Sequence, residues 1–431
     1  MPAAPPHHVV LIAIGSSGDV HPFIGLGLAL QRRGHRVTVA TNDHFLPLVA
    51  RVGLGFASLG TVDEFHAALN NPDVWHPARG LRAIVDQGVG ELVARVYDLL
   101  AAQLAADQAS GALLPTVAAG TLLAMGARVA QEHLGLRYAS VGFAPSVVRS
   151  LLAPPRLPYL PWLPHAPRAV KAAVLWLLDT AVADPLMAPP VNVLRSRLSL
   201  PAVRGIVRQW WYSPQLNLCL WPPAFGAQQA DWPAHSVLTG FPLWDESADA
   251  PLPAAVTDFL SQPGGAPIVF TPGSAMRFGH DFFKAAVGAS QRLQRRALLL
   301  TRYPAQLPAA LPPGVLHVPY APFARLLPHA AALVHHGGIG TTAQALGAGV
   351  PQLVMPMAHD QFDNADRVRR LGVGDWLPRQ RFTEGHVTHK LRGLLDDAGV
   401  AAAARRWAQQ QASAPDGCDA AAVALEQLMQ R

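Results

Sequence analysis

Cysteine is nearly missing from this sequence, and charge is scarce. Cys219 and Cys418 are its only two cysteines. They lie far apart and follow neither a metal-ligand nor a disulfide spacing, so buried thiols in a reducing compartment are expected. Asp, Glu, Lys and Arg together make up only 14% of the residues, and half the chain is apolar. That balance excludes a disordered protein. Long apolar runs are missing too. The best one, AVLWLLDTAVADPLMAPP, is cut by Asp179, Asp184 and Pro185. A spanning helix needs about 20 consecutive apolar residues. The N-terminus, MPAAPPHH, lacks the charged region that opens a signal peptide. No Lys/Arg run, zinc spacing or base-stacking motif occurs, so nucleic acid is not an expected partner. A cytoplasmic protein is expected. Its net charge of +6 comes from Arg far more than from Lys. Coding bias accounts for this, as does a basic face that meets an anionic substrate or the inner membrane.

What is present is a rhythm. The 431 residues are too many for one ordinary α/β core and suggest two domains. VVLIAIG is a continuous apolar run, as a buried parallel strand requires. GSSGDVHP then reads as a loop. PFIGLGLALQRRG reads as a helix, with Pro22 near its start and Gly34 at its end. RVTVAT is the next strand. FASLG, TVAAG and YASVGFAP continue the alternation to about residue 145. Residues 150–215 break it with a Pro- and Trp-rich stretch. LNLCLWP and HSVLTGFP resume as short strands. A second alternating half opens at APIVFTPGS and runs through ALLLT, LHVP, AALVHH and PQLVMPM. The expected fold class is α/β, with two doubly wound Rossmann-like domains facing a cleft. Residues 1–241 form the first, 242–250 a linker and 251–431 the second. One of the last helices is placed to return to the first half.

One turn stands out. AALVHH ends a strand, GGIG follows, and TTAQALGAG begins a helix. Glycines let the backbone approach a ligand, and a helix N-terminus offers unpaired N–H groups with about half a positive charge. The turn reads as a phosphate cradle, with His336 and Thr341 adding donors. It has no Walker lysine. At the end of the next strand stand Asp360 and Gln361. A carboxylate beside an amide suits vicinal hydroxyls, because one accepts while the other donates and accepts. A helix cap is the plainer role for Asp360. Phosphate and polyol sites side by side suggest a nucleotide-sugar.

HHGGIGTTAQALGAGVPQLVMPMAHDQFDNADRVRRLGVG resembles the donor-site signature of the family 1 glycosyltransferases. This GT-B group includes sterol and antibiotic glucosyltransferases. GSSGDVHPFIGLGLALQRRGHRVTVAT resembles the same family's N-terminal motif. Across most of the chain, including QWWYSPQLNLCLWP and LTGFPLWD, the sequence is most similar to the B-chain rhamnosyltransferases of bacterial rhamnolipid synthesis. The resemblance implies inverting transfer from dTDP-L-rhamnose to a 3-(3-hydroxyalkanoyloxy)alkanoate, giving a mono-rhamnolipid. It places His336, Gly338, Gly340 and Thr341 on the diphosphate, with Ser274 approaching from the other side. It places Asp360 and Gln361 on the sugar, and Tyr320, Ala321 and Pro322 at the base. Where the family often has a ribose-binding Glu, this chain has Gln344. A weaker acceptor there fits a deoxyribose, although Gln can also bind ribose.

Inverting transfer needs a base for the acceptor hydroxyl and a stabilised leaving diphosphate. The cradle supplies the second, and no acidic pair beside it calls for a metal. Neither a metal nor another cofactor is expected. Asp19, in the loop after the first strand, is the expected base, with His21 as its rival. A capping carboxylate and a capping or exposed histidine are the plainer roles for the two. A hydrophobic hydroxy-lipid acceptor needs an apolar groove, for which Trp162 and Trp176 are candidates. Arg149, Arg156 and Arg168 are available for its carboxylate. Three rivals remain at this level: a UDP-glucose-dependent sterol or lipid glucosyltransferase, a nucleotide-sugar-binding subunit that needs a partner, and an NAD oxidoreductase.

Overall fold

The computed structural model describes residues 5–109, 114–246 and 250–430. The chain divides into two compact units. The first comprises Met1–Val74, Ala78–Pro242 and Pro415–Arg431, and the second Trp75–Pro77 and Leu243–Ala414. Trp75–Pro77 groups with the second unit, which differs from the expected boundaries, while the chain's end groups with the first, where a returning last helix was expected. Of the expected linker, residues 247–249 lie outside the described residues.

The first unit carries strands β1 (His8–Ile12), β2 (Arg36–Asn42), β3 (Gly55–Gly60), β4 (Thr116–Thr121), β5 (Arg137–Gly142), β6 (Leu216–Cys219) and β7 (Ser236–Leu238). They form one parallel sheet in the order β3-β2-β1-β4-β5-β6-β7. β1 and β4 are buried along their whole length, which explains their unbroken apolar runs.

The second unit carries β8 (Ile268–Thr271), β9 (Ala297–Leu300), β10 (Val315–Val318), β11 (Ala332–His335), β12 (Gln352–Val354) and β13 (Gly374–Trp376). They pair in parallel in the order β10-β9-β8-β11-β12-β13. The two orders match over six strands, and the first sheet carries β7 in addition. Both sheets reverse direction of growth beside their first strand, between β1 and β4 and between β8 and β11. Ligands of open α/β sheets bind outside the strand C-termini at that reversal.

The last helix, Gly417–Met429, closes the first unit. It packs on the Ser17–Arg32 helix. Glu426 accepts from Arg33 Nη2 at 2.6 Å and lies 3.2 Å from His35 Nε2. The hydrogen bond from Arg33 holds the Glu426 carboxyl below its ordinary pKa. A Cβ on Gly417 would lie 2.4 Å from the Phe241 carbonyl oxygen, so only glycine permits this approach. Both cysteines are free and buried, and burial pushes the Cys219 thiol up to about 12.

Candidate active site

The reversal point of the second sheet lies between the loop after β8 and the turn after β11. The β11 turn is built by its own side chains. His335 is fully buried; its Nδ1 accepts from the Gly337 N–H at 3.1 Å, and its Nε2 faces Gln352 Oε1 at 3.0 Å. Gly337 has φ +89°, in the left-handed region, and a Cβ there would strike Val354 Cγ1 at 2.6 Å. The Ile339–Ala348 helix therefore starts at Gly338 with no side chain capping it. Its first N–H groups, of Ile339, Gly340 and Thr341, have no partner one turn back in the helix. Gly340 is exposed, and a Cβ there would meet nothing within 4 Å. The turn thus leaves backbone N–H groups unpaired within the helix, with open space beside Gly340.

His336 stands at the edge of this opening. A Cβ on Gly338 would lie 2.5 Å from its Nε2, and one on Gly273 would lie 2.7 Å from its Cε1. Two glycines from the two loops thus hold the imidazole between them. Gly273 has φ +102°, and its neighbour Ser274 is exposed. Burial lowers the His336 pKa to about 4, so the ring is neutral at pH 7. Its Nδ1 is buried and has no hydrogen-bond partner. A neutral ring that carries one N–H can donate to an anion without bringing a full charge.

β12 lies beside β11 and delivers the next loop to the same rim. Asp360 is the residue before the Gln361–Arg370 helix and is half-buried. Gln361 is 3% exposed; its Oε1 accepts from the N–H groups of Met357 at 2.8 Å and Ala358 at 3.1 Å. This corrects the expected donor-and-acceptor role of Gln361. Its carbonyl oxygen braces the loop, leaving the amide nitrogen as the group that can serve a sugar. Tyr320 donates its hydroxyl to Asp245 at 2.8 Å and carries the Arg302 guanidinium 5.6 Å from its ring centre. Ala321 and Pro322 are buried, so neither offers an open surface to a base. Gln344 is half-buried on the Ile339–Ala348 helix.

The first unit's reversal point is organised differently. Asp19 is not in a loop, as the sequence suggested. It is the third residue of the Ser17–Arg32 helix, which starts five residues before Pro22 and takes that proline inside. Its Oδ2 accepts from the Ser16 N–H at 2.8 Å and from Ser16 Oγ at 3.4 Å. Gly15, at φ +140°, makes room for it, because a Cβ there would lie 2.1 Å from Asp19 Oδ2. The capping role is therefore real, and it coexists with an unusual acidity. Burial raises the Asp19 pKa to about 6 against the opposing effect of the Ser16 hydrogen bonds. His21 lies further along the same helix, half-buried. Among the described residues, no three His, Cys, Asp or Glu side chains converge as a metal site would require.

Comparisons with known proteins bear on what this arrangement is. Residues 9–151 match the glycosyltransferase family 28 N-terminal domain, and residues 299–427 match the erythromycin biosynthesis protein CIII-like C-terminal domain. The O-mycaminosyltylonolide 6-deoxyallosyltransferase of Streptomyces fradiae is 29% identical, over 97% of each chain. The chain belongs to the GT-B glycosyltransferases. A sterol 3-beta-glucosyltransferase of Penicillium rubens is 28% identical over 86% of this glycosyltransferase, which spans only 27% of that longer protein. The fold matches the calicheamicin glycosyltransferase CalG4 with a TM-score of 0.69 at 20% identity, covering 99% of both chains. It matches the spinosyn rhamnosyltransferase SpnG, also solved with thymidine diphosphate, with a TM-score of 0.66 at 20% identity, over 98% and 100% of the chains.

Two features of the glycosyltransferase depart from the sequence reading. Trp162 and Trp176 were candidates for an acceptor groove, but their side chains are turned to the surface, 47% and 54% exposed. Asn364 was passed over. It is fully buried, and its Nδ2 donates both to the Gly337 carbonyl at 2.9 Å and to Asp360 Oδ2 at 2.7 Å. It ties the turn after β11 to Asp360. The signal was present as an Asn four residues after Asp360, one helical turn on.

Proposed function

We propose that this glycosyltransferase moves L-rhamnose, with inversion, from dTDP-L-rhamnose to a hydroxyl of a lipidic acceptor such as a 3-(3-hydroxyalkanoyloxy)alkanoate. One observation carries the donor half. An uncapped helix N-terminus lined by Gly338 and Gly340 stands beside neutral His336 and is tied through Asn364 to Asp360. Backbone N–H groups with the helix dipole suit the charge that develops on a departing diphosphate. In this reading Ser274, His336, Gly338, Gly340 and Thr341 take the diphosphate. Asp360 and the Gln361 amide nitrogen take the sugar hydroxyls. The segment Tyr320, Ala321 and Pro322, together with Gln344, takes the nucleoside. No metal is required.

Asp19 removes the acceptor proton. A carboxylate that titrates near pH 6 is a stronger base than an ordinary one and is still ionised at pH 7. The proton passes to Asp19 Oδ as the acceptor oxygen bonds to the anomeric carbon and the bond to the diphosphate oxygen breaks. A deoxysugar donor is supported by the names of the relatives, one a 6-deoxyallosyltransferase and one a rhamnosyltransferase solved with thymidine diphosphate.

Offering the purified chain dTDP-L-rhamnose, dTDP-glucose and UDP-glucose, each with hydroxyalkanoyloxyalkanoate and with a sterol, tests the reading by product mass. A rhamnosylated lipid acid is expected. Sterol glucoside from UDP-glucose would replace the proposal with the second reading, which the Penicillium relative favours. Turnover without any added protein separates an enzyme from a subunit that only binds.

A further inference from the structure

The Arg168–Leu178 helix is built inside out. A helix on the surface of a soluble protein normally buries its apolar stripe and exposes its charges. Here the π-helical continuation places Asp179 inside, 3% exposed and ion-paired with Arg149. Between residues 169 and 182, every exposed side chain except Thr180 is apolar. Val170, Trp176 and Leu177 are 41%, 54% and 58% exposed. In the loop before the helix, Tyr159 and Trp162 are 62% and 47% exposed. Large apolar side chains exposed together along one short stretch of chain mark a contact with something apolar.

We propose that this face docks on an anionic phospholipid bilayer. Charge selects the occupant. Residues 150–178 contain Arg156, Arg168 and Lys171 and no Asp or Glu. Two copies of such a face would bring like charges together, whereas an anionic headgroup layer neutralises them. The aromatic residues agree, because Trp and Tyr partition to the headgroup boundary. The helix has 11 residues and is about 16 Å long, too short to cross a hydrocarbon core of about 30 Å. It lies in the plane of the interface, apolar side down. Docking needs neither donor nor acceptor, so it stands or falls independently of the proposed reaction.

The test is co-sedimentation of the full chain with vesicles of phosphatidylcholine alone and of phosphatidylcholine mixed with phosphatidylglycerol. Binding to the mixed vesicles is expected, and salt should weaken it. The variant W176E/L177E should bind them at least about tenfold more weakly. R168E/K171E should lose roughly fivefold per residue. Unchanged melting temperatures and thymidine diphosphate affinity show that both variants are folded; if one fails, the other still decides. Equal binding to both vesicle types, or full binding by the variants, would overturn the proposal. A wild-type dimer that W176E/L177E dissociates would also overturn it and give the face to a second copy.

Discussion

The two units share one strand order over six strands and use the same position in opposite ways. At each reversal point a helix begins, and a helix start leaves first N–H groups without partners one turn back; in the first unit the Asp19 N–H bonds to the Ser16 carbonyl at 2.9 Å. In the first unit the chain fills its own vacancy. Asp19 folds back onto Ser16, and Gly15 clears the space for it. In the second unit nothing fills it. Gly338 precedes the helix without a cap, and Gly340 looks onto open space. A helix start that holds its own carboxylate has no call for a diphosphate, while one left bare invites it. In the proposed reading, one architecture used twice supplies a proton acceptor in one copy and an anion receptor in the other.

The comparison breaks most sharply at Asp19. Asp19→Asn keeps an oxygen for the Ser16 N–H but removes the base. Turnover should fall by about 10²–10⁴-fold, with thymidine diphosphate affinity by calorimetry unchanged. Turnover within a few-fold of wild type would leave Asp19 only its capping role. The next effect is at the bare helix. Gly340→Val has room in the free protein, so melting should barely move, yet its side chain would stand where the diphosphate docks. Thymidine diphosphate should bind at least about tenfold more weakly, a loss of about 1.4 kcal/mol. Unaltered affinity would show that the opening holds something else. Asn364→Ala removes two hydrogen bonds, one to a carboxylate, and should cost about 2–4 kcal/mol in denaturant unfolding. Affinity for the nucleotide-sugar should fall further than affinity for the bare nucleoside diphosphate, because Asp360 loses its anchor.

The smallest effect is a slope. A base must be unprotonated to act, so kcat/KM should rise about tenfold per pH unit below about 6 and level off above it. Asp19→Asn should flatten that limb. The sign for stability is opposite. A carboxyl whose folded pKa is raised favours the protonated form, so its contribution is full below the ordinary carboxylate range and fades as pH rises through about 6. The turn is thus least comfortable where the enzyme is most active.

Much of this was legible because each motif carried its own local reason. Continuous apolar runs marked β1, β4, β8 and β11, since strands buried on both faces need them. GGIG marked the bare helix start, because only glycine tolerates the close approaches at Gly337 and Gly338. Other features depend on contacts that sequence order hides. Asp19 read as a loop residue because Pro22 seemed to open the helix, and the sequence does not show that the turn before it is already helical. Gln361 read as a sugar ligand because its return to Met357 and Ala358 is a matter of rotamer. Trp162 and Trp176 read as groove lining because burial is the usual fate of large aromatics. β13, only three residues long with the sequence Gly-Asp-Trp, carries no strand pattern and is held by its pairing with β12.

The closing helix has a consequence for how the molecule is made. Arg33 and His35 wait for Glu426, nearly four hundred residues downstream. On the ribosome, domains generally fold in order of emergence. Here the opening half must stay unfinished until translation has passed through all of the second unit. An assay of nascent chains should find the later half protease-resistant before the earlier one.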